Sequence, residues 1–246
     1  MEKVGKKIYF FSDAHIGLNS NEVEIEKQKR ILKFLDLVKS NASELFILGD
    51  LFDFWFEYKN VIPSVYNNII EALFGITKSG IPVHFIVGNH DYWTKDFFPT
   101  QIGVTVYKKP ITIERSGFTI HLHHGDGLAL DDNGYKFMSS ILRNKLFIWT
   151  YSQLPVNLGY SIGSKLSRKN RSHHTLIDTH REIEGMINYA TEKISNGCDV
   201  VIMGHRHQYL YHKIDNGLYI NLGDWIEFNT YATFDGSDFK LNHWDK

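Results

Sequence analysis

Residues 7–15 read Lys-Ile-Tyr-Phe-Phe-Ser-Asp-Ala-His, an unbroken β-branched and aromatic run that ends in an aspartate and a histidine. Such a run predicts a short strand, Lys7–Phe11, that is buried on both faces. The same arrangement recurs at Leu45–Leu48, which is followed by Gly-Asp, and at Val83–Val87, which is followed by Gly-Asn. The sequence therefore begins with three predicted strands, each closed by a turn that carries a polar side chain.

Helical patterns separate these three strands. Between the first two strands, apolar residues recur at helical spacing, at Ile31, Leu32, Leu35 and Val38. A second helix is predicted over Val65–Lys78, between the second strand and the third. The order strand–helix–strand–helix–strand favours parallel pairing, which brings the carboxyl ends of the strands to one edge. Ligand sites in open α/β sheets form outside that edge, so the sequence predicts a site there.

The pattern changes after residue 110. Ile111–Ile113 and Phe118–His123 predict a hairpin that turns at residues 115–117. Four further strands are predicted towards the end of the chain, at Val200–Met203, Tyr209–Ile214, Leu218–Asn221 and Thr230–Phe234. These segments supply a second group of apolar strands, separate from the parallel group at the start of the chain.

A mainly helical stretch lies between the hairpin and the last strands. It runs from about residue 135 to residue 195 and is predicted to break near Pro155 and Gly159. Its last part carries an apolar stripe, made of Ile183, Met186, Ile187, Ala190 and Ile194. No repeat, low-complexity tract or linker divides the sequence. It therefore predicts one domain, residues 1–246, with a helical insertion at about residues 133–177.

Five short polar motifs combine carboxylate, imidazole or amide groups with a turn at the end of a predicted strand. In chain order they are residues 13–15 (Asp-Ala-His), 49–53 (Gly-Asp-Leu-Phe-Asp), 88–91 (Gly-Asn-His-Asp), 124–126 (His-Gly-Asp) and 204–207 (Gly-His-Arg-His). Mixed nitrogen and oxygen ligands suit Mn²⁺, Fe or Zn²⁺, and the lack of thiolates argues against a structural zinc site. A carboxylate able to bridge, such as that of Asp50, lets two cations sit roughly 3.5–4 Å apart.

Each motif taken alone has an ordinary structural explanation. Asp13 could cap the segment that follows it, and a Gly-Asp-x-x-Asp sequence is often a turn. His121 and His123 could equally be cross-strand packing residues, and they are not assigned to the site. All five motifs lie at strand ends, where isolated polar side chains would cost desolvation free energy without return. Their conjunction favours a metal site.

The ordered set of motifs, from Asp13 to His207, resembles the calcineurin-type metallophosphoesterase superfamily. The resemblance implies an α/β fold, a four-layer αββα sandwich of two sheets flanked by helices, with a dinuclear site at one edge. It also implies how two divalent metal ions are shared among the ligands. Asp13, His15 and His207 would bind one ion, Asn89, His124 and His205 would bind the other, and Asp50 would bridge the two.

The resemblance also implies a catalytic role for His90, because the superfamily's motif carries a histidine at that position. After a metal-activated water attacks phosphorus in line, His90 would stabilise the developing charge or protonate the leaving group. Asp91 is expected to orient His90. The alternative is that His90 makes a structural hydrogen bond and transfers no proton.

A narrower resemblance is to UDP-2,3-diacylglucosamine hydrolase. It rests on residues 49–53 with Trp55, on residues 124–128 (His-Gly-Asp-Gly-Leu) leading to an acidic pair that ends at Asp132, and on residues 222–225 (Leu-Gly-Asp-Trp). That family cleaves the pyrophosphate of UDP-2,3-diacylglucosamine in lipid A biosynthesis, usually with Mn²⁺, and releases UMP and 2,3-diacylglucosamine 1-phosphate. By position, Asp132 resembles a substrate contact of the family.

Two positions depart from the narrower family. Its well-known members carry Arg where His90 stands, and their last motif commonly reads Gly-His-Thr-His where this chain has Arg206. Neither position is an expected metal ligand. Two rival functions stay open: a superfamily enzyme that acts on another nucleotide, phosphodiester or phosphoprotein, and a non-catalytic binding scaffold. A scaffold would be expected to lose ligands or His90, and this chain keeps them all.

Composition points to an ordinary globular protein, with 43% hydrophobic residues, 22% charged residues and a formal net charge of −1. This charge gives no reason to expect a nucleic-acid partner. The single cysteine, Cys198, excludes an internal disulfide and suits a reducing compartment. Because no segment is apolar and long enough to span a bilayer, a cytoplasmic location is expected, with peripheral membrane contact left open.

The predicted insertion is basic. Residues 133–177 contain seven of the 27 basic residues and no Asp or Glu, which leaves 20 basic and all 28 acidic residues to the rest of the chain. One interpretation is a packed insertion with exposed charges. The other is a cap whose inner face, including the apolar run from residue 135 to 149, holds acyl chains. Its basic residues would then meet phosphates or the anionic inner-membrane surface, and the candidates are Lys165, Arg168, Lys169 and Arg171. The absence of acidic residues favours the cap.

Overall fold

The computed structural model describes residues 6–19, 21–58, 61–130, 133–171 and 176–244. The strands in these ranges are β1 (Lys7–Phe11), β2 (Ala42–Leu48), β3 (Val83–Ile86), β4 (Thr105–Tyr107), β5 (Ile111–Arg115), β6 (Phe118–Leu122), β7 (Val200–Met203), β8 (Tyr209–Ile214), β9 (Gly217–Leu222), β10 (Thr230–Phe234) and β11 (Phe239–His243). The α-helices in the same ranges are α1 (Asn21–Asn41), α2 (Asn67–Lys78), α3 (Asn133–Leu142), α4 (Lys145–Tyr151), α5 (Val156–Arg171) and α6 (Leu176–Ser195).

The first sheet has the strand order β11-β10-β1-β2-β3-β4. Strands β1 to β4 are parallel, with Tyr9 opposite Leu45 and Leu45 opposite Val83, and β10 and β11 join the sheet antiparallel. The predicted parallel pairing of the first three strands is therefore confirmed. Because these strands run in one direction, the loops that follow β1, β2 and β3 leave the sheet at the same edge.

The second sheet has the strand order β5-β6-β7-β9-β8. The predicted hairpin is confirmed as β5 and β6, with Ile113 opposite Ile120 in an antiparallel register. Strands β6, β7 and β9 pair in parallel, so the loops that follow β6 and β7 also leave the sheet at a common edge. The motifs at residues 124–126 and 204–207 lie in these two loops.

Alternation along β1 divides its apolar side chains between two cores. Ile8 and Phe10 face the second sheet and belong to a buried cluster with residues of β6, β7 and β9, whereas Tyr9 and Phe11 pack with residues of α1 and α2. On the far side of the second sheet, α6 packs Met186 against β7. The layers are therefore helix, sheet, sheet and helix, which confirms the predicted four-layer αββα fold class.

Helices α3, α4 and α5 lie between β6 and α6 in the chain, and α4 and α5 pack on a loop that follows β2. This loop contributes Phe54, Phe56 and Tyr58 to an aromatic cluster. The partners of these residues are Trp93, Ile148, Tyr151, Val156 and Tyr160. No helix in the described ranges combines the length and the apolar character needed to cross a membrane.

The predicted helix break at Gly159 is wrong, whereas a break near Pro155 is present between α4 and α5. Gly159 lies inside α5, where a Cβ atom would overlap the hydroxyl group of Tyr58. The glycine therefore allows α5 to approach the loop after β2 closely, and it does not end a helix. Tyr160 fastens the same contact by donating a hydrogen bond to the carbonyl of Phe56, at 2.8 Å.

Candidate metal centre

Five of the seven expected ligands have left-handed backbone conformations although none of them is glycine. The φ angles are 53° at Asp13, 42° at His15, 51° at Asp50, 71° at His205 and 56° at His207. Such conformations cost about 1–3 kcal/mol each and persist where the surroundings enforce them. Here the loops that follow β1 and β2 brace each other, since the amides of Asp13 and His15 donate to the carbonyls of Gly49 and Asp50.

The first group of potential ligands consists of Asp13, His15 and His207, whose ligand atoms lie within 4.8 Å of one another. The Oδ1 atom of Asp13 lies 3.8 Å from Nε2 of His15 and 3.7 Å from Nε2 of His207. These distances are too long for hydrogen bonds. Oδ1 of Asp13 is buried and accepts no hydrogen bond from the described residues. A cation between the three groups would satisfy this oxygen.

The second group consists of Asp50, His124 and His205, whose ligand atoms also lie within 4.8 Å of one another. Oδ1 of Asn89 lies 3.2 Å from Nε2 of His124, so the amide belongs to the same group. The donor set of one carboxylate, one amide and two imidazoles suits a divalent metal of borderline softness. The structure thus brings together the same residues that the sequence predicted for the second ion.

Asp50 faces both groups. Its Oδ2 atom lies 3.6 Å from Nε2 of His15, 3.4 Å from Nε2 of His124 and 3.8 Å from Nε2 of His90. Burial alone would raise the pKa of Asp50, but the surrounding imidazoles outweigh burial and hold this pKa well below its usual range. An ionised carboxylate between two groups of ligands has the chemistry of a bridging ligand.

Partners behind the ligands fix which ring nitrogen faces the centre. Nδ1 of His124 lies 2.7 Å from the carbonyl of Leu48, which can only accept, so Nδ1 carries the proton and Nε2 is left to bind metal. Nδ1 of His207 lies 3.2 Å from Oδ2 of Asp224. The other oxygen of Asp224 accepts hydrogen bonds from three backbone amides, those of residues 226–228. Both histidines therefore have oriented rings.

Lys27 stabilises the loop that carries His15 through a buried hydrogen bond. Its ammonium group is buried, donates to the carbonyl of His15 at 2.5 Å and lies 3.1 Å from the carboxylate of Glu24. Sequence reasoning did not identify Lys27, because a lysine on an amphipathic helix is usually solvated. It did not identify Asp224 as a partner of His207 either, although the Leu-Gly-Asp-Trp segment had been noted as part of the family resemblance.

His90 lies at the centre, but Asp91 does not have the role that the sequence suggested. Nδ1 of His90 contacts the carbonyl of Asp53 at 2.7 Å and the hydroxyl of Ser167 at 3.1 Å. The carboxylate of Asp91 instead accepts hydrogen bonds from the amides of Gly88 and Leu51, at 2.7 Å and 2.8 Å. The expected Asp91–His90 pair is therefore corrected. Asp91 thus connects the loop that carries Asn89 to the loop that carries Asp50, because its carboxylate accepts hydrogen bonds from both.

Burial and the nearby charge of Asp50 raise the pKa of Asp91 to about 7. Burial also raises the pKa of Asp13, against the attraction of His207 and His124. In the same region the pKa of His124 is raised well above its ordinary value, since Asp50 outweighs the opposing effect of burial. Several buried carboxylates thus lie close together, with only a few imidazoles to offset their negative charge. Divalent cations stabilise such an arrangement.

The expected substrate-binding residues are placed only in part. Lys165 is exposed on α5. Arg168, Lys169 and Arg171 belong to the same helix, but their side chains lie outside the described part of the structure, as does Asp132 altogether. Their contact with substrate therefore stays a prediction. The two histidines left unassigned by the sequence lie beside Tyr189, where His121 is buried and His123 is half-buried; desolvation lowers the pKa of each to about 4.

A family model described as calcineurin-like phosphoesterase matches residues 6–209, a range that contains all five motifs. The chain belongs to the calcineurin-like phosphoesterase family, and it is a metal-dependent hydrolase. Members of this family use a pair of divalent metal ions, which the two groups of ligand atoms suit.

Three relatives named UDP-2,3-diacylglucosamine hydrolase match nearly the whole chain. The protein from Porphyromonas gingivalis is 31% identical over 252 residues, with 96% of each chain covered. Those from Pseudomonas putida and Aeromonas hydrophila are 29% and 28% identical, and the matches cover 95% and 89% of this chain and 97% and 90% of the relatives. A solved structure described as a novel archaeal phosphodiesterase covers 96% of this chain and 99% of its own, with a TM-score of 0.52 at 15% identity. That likeness supports the fold alone.

Proposed function

We propose that this protein hydrolyses the pyrophosphate bond of UDP-2,3-diacylglucosamine, releasing UMP and 2,3-diacylglucosamine 1-phosphate for lipid A biosynthesis. The observation that carries the proposal is the match to hydrolases of that name along nearly the full length of this chain and of theirs. This coverage includes the helices α3 to α5 as well as the two sheets that hold the expected ligands.

The proposed metal ligands are the seven residues predicted from the motifs. Asp13, His15 and His207 would hold one ion, Asn89, His124 and His205 the other, and Asp50 both. We propose Mn²⁺ as the metal, since mixed nitrogen and oxygen ligands without thiolates suit it. When bound, such a pair neutralises charge on the phosphoryl oxygens and lowers the pKa of water to near neutrality.

His90 is the proposed acid–base residue. Because the carbonyl of Asp53 can only accept, Nδ1 of His90 carries the ring proton in the neutral form, and Nε2 faces Asp50 at 3.8 Å. Nε2 therefore borders the expected metals and the phosphoryl group between them. From there it would stabilise charge on the leaving oxygen or, when protonated, donate its proton to it.

The helices α3 to α5 are proposed to form a cap that binds the acyl chains. Large apolar side chains point into solvent on all three helices; the most exposed are Phe137, Met138, Leu146, Trp149 and Leu166. Basic residues are interspersed with them, at Lys136, Lys145 and Lys165, all of which are exposed. An apolar surface with a basic surround suits a lipid with an anionic head group, or the cytoplasmic surface of the inner membrane.

The substrate would reach across the centre from this surface. The cap is fastened beside the expected ligands: Trp93 donates to the carbonyl of Leu142 at 2.9 Å, and Arg143 pairs with Asp126 at 2.5 Å. Asp126 is the last residue of the motif that contains His124. Acyl chains held on the cap would therefore leave the sugar and pyrophosphate near the metals. The residues proposed to bind the substrate there are Lys165, Arg168, Lys169, Arg171 and Asp132.

Polar substitutions on the cap test the lipid part of the proposal. Leu146→Ser and Trp149→Ser each remove an exposed apolar group, and each buried methylene contributes about 0.8 kcal/mol. We expect KM for UDP-2,3-diacylglucosamine to rise about tenfold or more, while hydrolysis of a small chromogenic phosphodiester is unchanged. Val23→Ser, which alters an exposed apolar residue on α1, is the matched control. An unchanged KM for the lipid in both cap variants would contradict acyl binding at this surface.

A further inference from the structure

Helix α5 approaches the loop after β2 along one face, at positions four residues apart. A Cβ atom at Gly159 would overlap Tyr58, and a Cβ atom at Gly163 would overlap the ring of Phe54. Four residues further along, Ser167 is buried and reaches Asp53. The helix and the loop therefore run past each other in opposite directions, and the last contact in this series lies at the metal centre.

Ser167 makes two hydrogen bonds at this point. Its hydroxyl donates to Oδ1 of Asp53 at 3.0 Å, and its oxygen lies 3.1 Å from Nδ1 of His90. Because the hydroxyl proton goes to the carboxylate, the oxygen is left to accept from Nδ1–H of His90, which it shares with the carbonyl of Asp53 at 2.7 Å. Both partners of Nδ1 are then acceptors, and they favour the same tautomer of the ring.

The same contacts reach the first group of expected ligands. Oδ1 of Asp53, which accepts from Ser167, also lies 3.7 Å from Nδ1 of His15. The rings of His15 and His90 meet edge to face, with their centroids 4.8 Å apart. Ser167 is thus a side chain from outside the two sheets that touches both the proposed acid–base residue and the carboxylate behind a ligand.

We infer that Ser167 is a positioning residue through which α5 holds His90 in its productive orientation. Its hydroxyl keeps the proton of His90 on Nδ1 and leaves Nε2 directed at the phosphoryl group. The proposed cap therefore completes the catalytic arrangement as well as binding lipid, and a displaced α5 would leave His90 held by one acceptor in place of two. This inference rests on the proposed role of His90.

A double-mutant cycle tests the inference on a small chromogenic phosphodiester, which does not need the acyl surface. The variants are Ser167→Ala, His90→Ala and the double variant, each loaded with Mn²⁺ and assayed for bound metal. We expect His90→Ala to lower kcat roughly 10²–10⁴-fold. Ser167→Ala should lower kcat about tenfold, with KM and metal content unchanged, since one hydrogen bond to the ring is lost. In the His90→Ala background, Ser167→Ala should have no further effect.

Two more variants separate positioning from stability. Ser161→Ala changes an exposed serine on the same helix and should leave kcat unchanged. Ser167→Thr keeps the hydroxyl group and should recover most of the activity lost in Ser167→Ala. If the losses of kcat in the two single variants multiply in the double variant, the positioning role of Ser167 is wrong. The same holds if Ser167→Ala loses metal. Neither result would contradict the proposed role of His90. Full activity in His90→Ala would overturn both the positioning role of Ser167 and the proposed function of His90.

Discussion

Asp50 belongs to the second group of ligands and also faces the first, with one oxygen 3.4 Å from Nε2 of His124 and 3.6 Å from Nε2 of His15. Its backbone is left-handed, and its loop is held by the carboxylate of Asp91. Such a residue contributes little to the hydrophobic core, and its conformation costs free energy. This geometry suits the proposed bridging role, in which one carboxylate lies between two cations.

Replacing Asp50 with alanine is expected to abolish hydrolysis and to lower the bound metal from about two equivalents per chain to one or none. Without the bridging carboxylate, two divalent ions at short range would repel each other. Metal analysis of the purified variant, beside the unmodified protein, measures the effect. Asp36→Ala alters an exposed aspartate on α1 and should keep both metals and full activity. An Asp50→Ala protein with two metals and normal turnover would contradict the bridging role.

The residues that support the centre could not be read from the sequence in the same way as the ligands. Each expected ligand sits in a short motif at a strand end, which a local pattern reveals. Lys27 and Ser167 lie on helices whose patterns give no hint of their target, because their partners are distant in the chain. For Asp91, sequence reasoning identified the residue but assigned it the wrong partner, because its position next to His90 does not determine where the carboxylate points.

Among the elements, most strands were predicted from their β-branched and aromatic residues, and two strands of the first sheet were not. β1, β7, β8 and β10 have the predicted bounds. β4, which has three residues, and β11, which alternates Lys240 and Asn242 with apolar residues, were not predicted. Both are edge strands of the first sheet, where pairing with one neighbour replaces the strong apolar pattern of a central strand. How the two sheets pack on each other could also not be predicted from local sequence patterns.

One contact that joins the two sheets is the pair of Glu44 on β2 and Arg115 on β5. The guanidinium group donates two hydrogen bonds to the carboxylate, at 2.7 Å and 2.8 Å. Burial alone would raise the pKa of Glu44, but hydrogen bonds from His84 and Arg115 outweigh burial and lower this pKa to about 2. The folded protein therefore favours the ionised carboxylate, and the pair contributes to stability in a manner that depends on pH.

Glu44→Gln is expected to lower the free energy of unfolding by about 1–3 kcal/mol at pH 7. Because the pKa of Glu44 is about 2 in the folded state and near its ordinary value of 4.5 in the unfolded chain, its contribution is complete above pH 4.5 and is lost as the pH falls through about 2. Urea unfolding at pH 7 and pH 3 should give a smaller difference at pH 3. Glu114→Gln, at an exposed neighbour, should change little. A difference that does not depend on pH would contradict this explanation.

In the whole molecule, the two sheets and the helices α3 to α5 converge on one place. The first sheet supplies loops with Asp13, Asp50 and Asn89, and the second supplies loops with His124 and the pair His205 and His207. The helices reach the same centre through Ser167, and they carry exposed apolar and basic side chains. Under the proposed function, the sandwich would carry out phosphoester hydrolysis and the helices would select a lipid-linked substrate.

One assay tests directly whether the protein recognises the acyl chains of its substrate. It measures kcat/KM for UMP release from UDP-2,3-diacylglucosamine and from the deacylated UDP-glucosamine, both with Mn²⁺. Acyl burial contributes about 0.8 kcal/mol per methylene, so recognition of the chains should dominate substrate binding. We expect the diacylated substrate to be hydrolysed to UMP with a kcat/KM at least 10²-fold higher than that of the deacylated one. Equal values for the two substrates, or no release of UMP from the diacylated substrate, would contradict the proposed function.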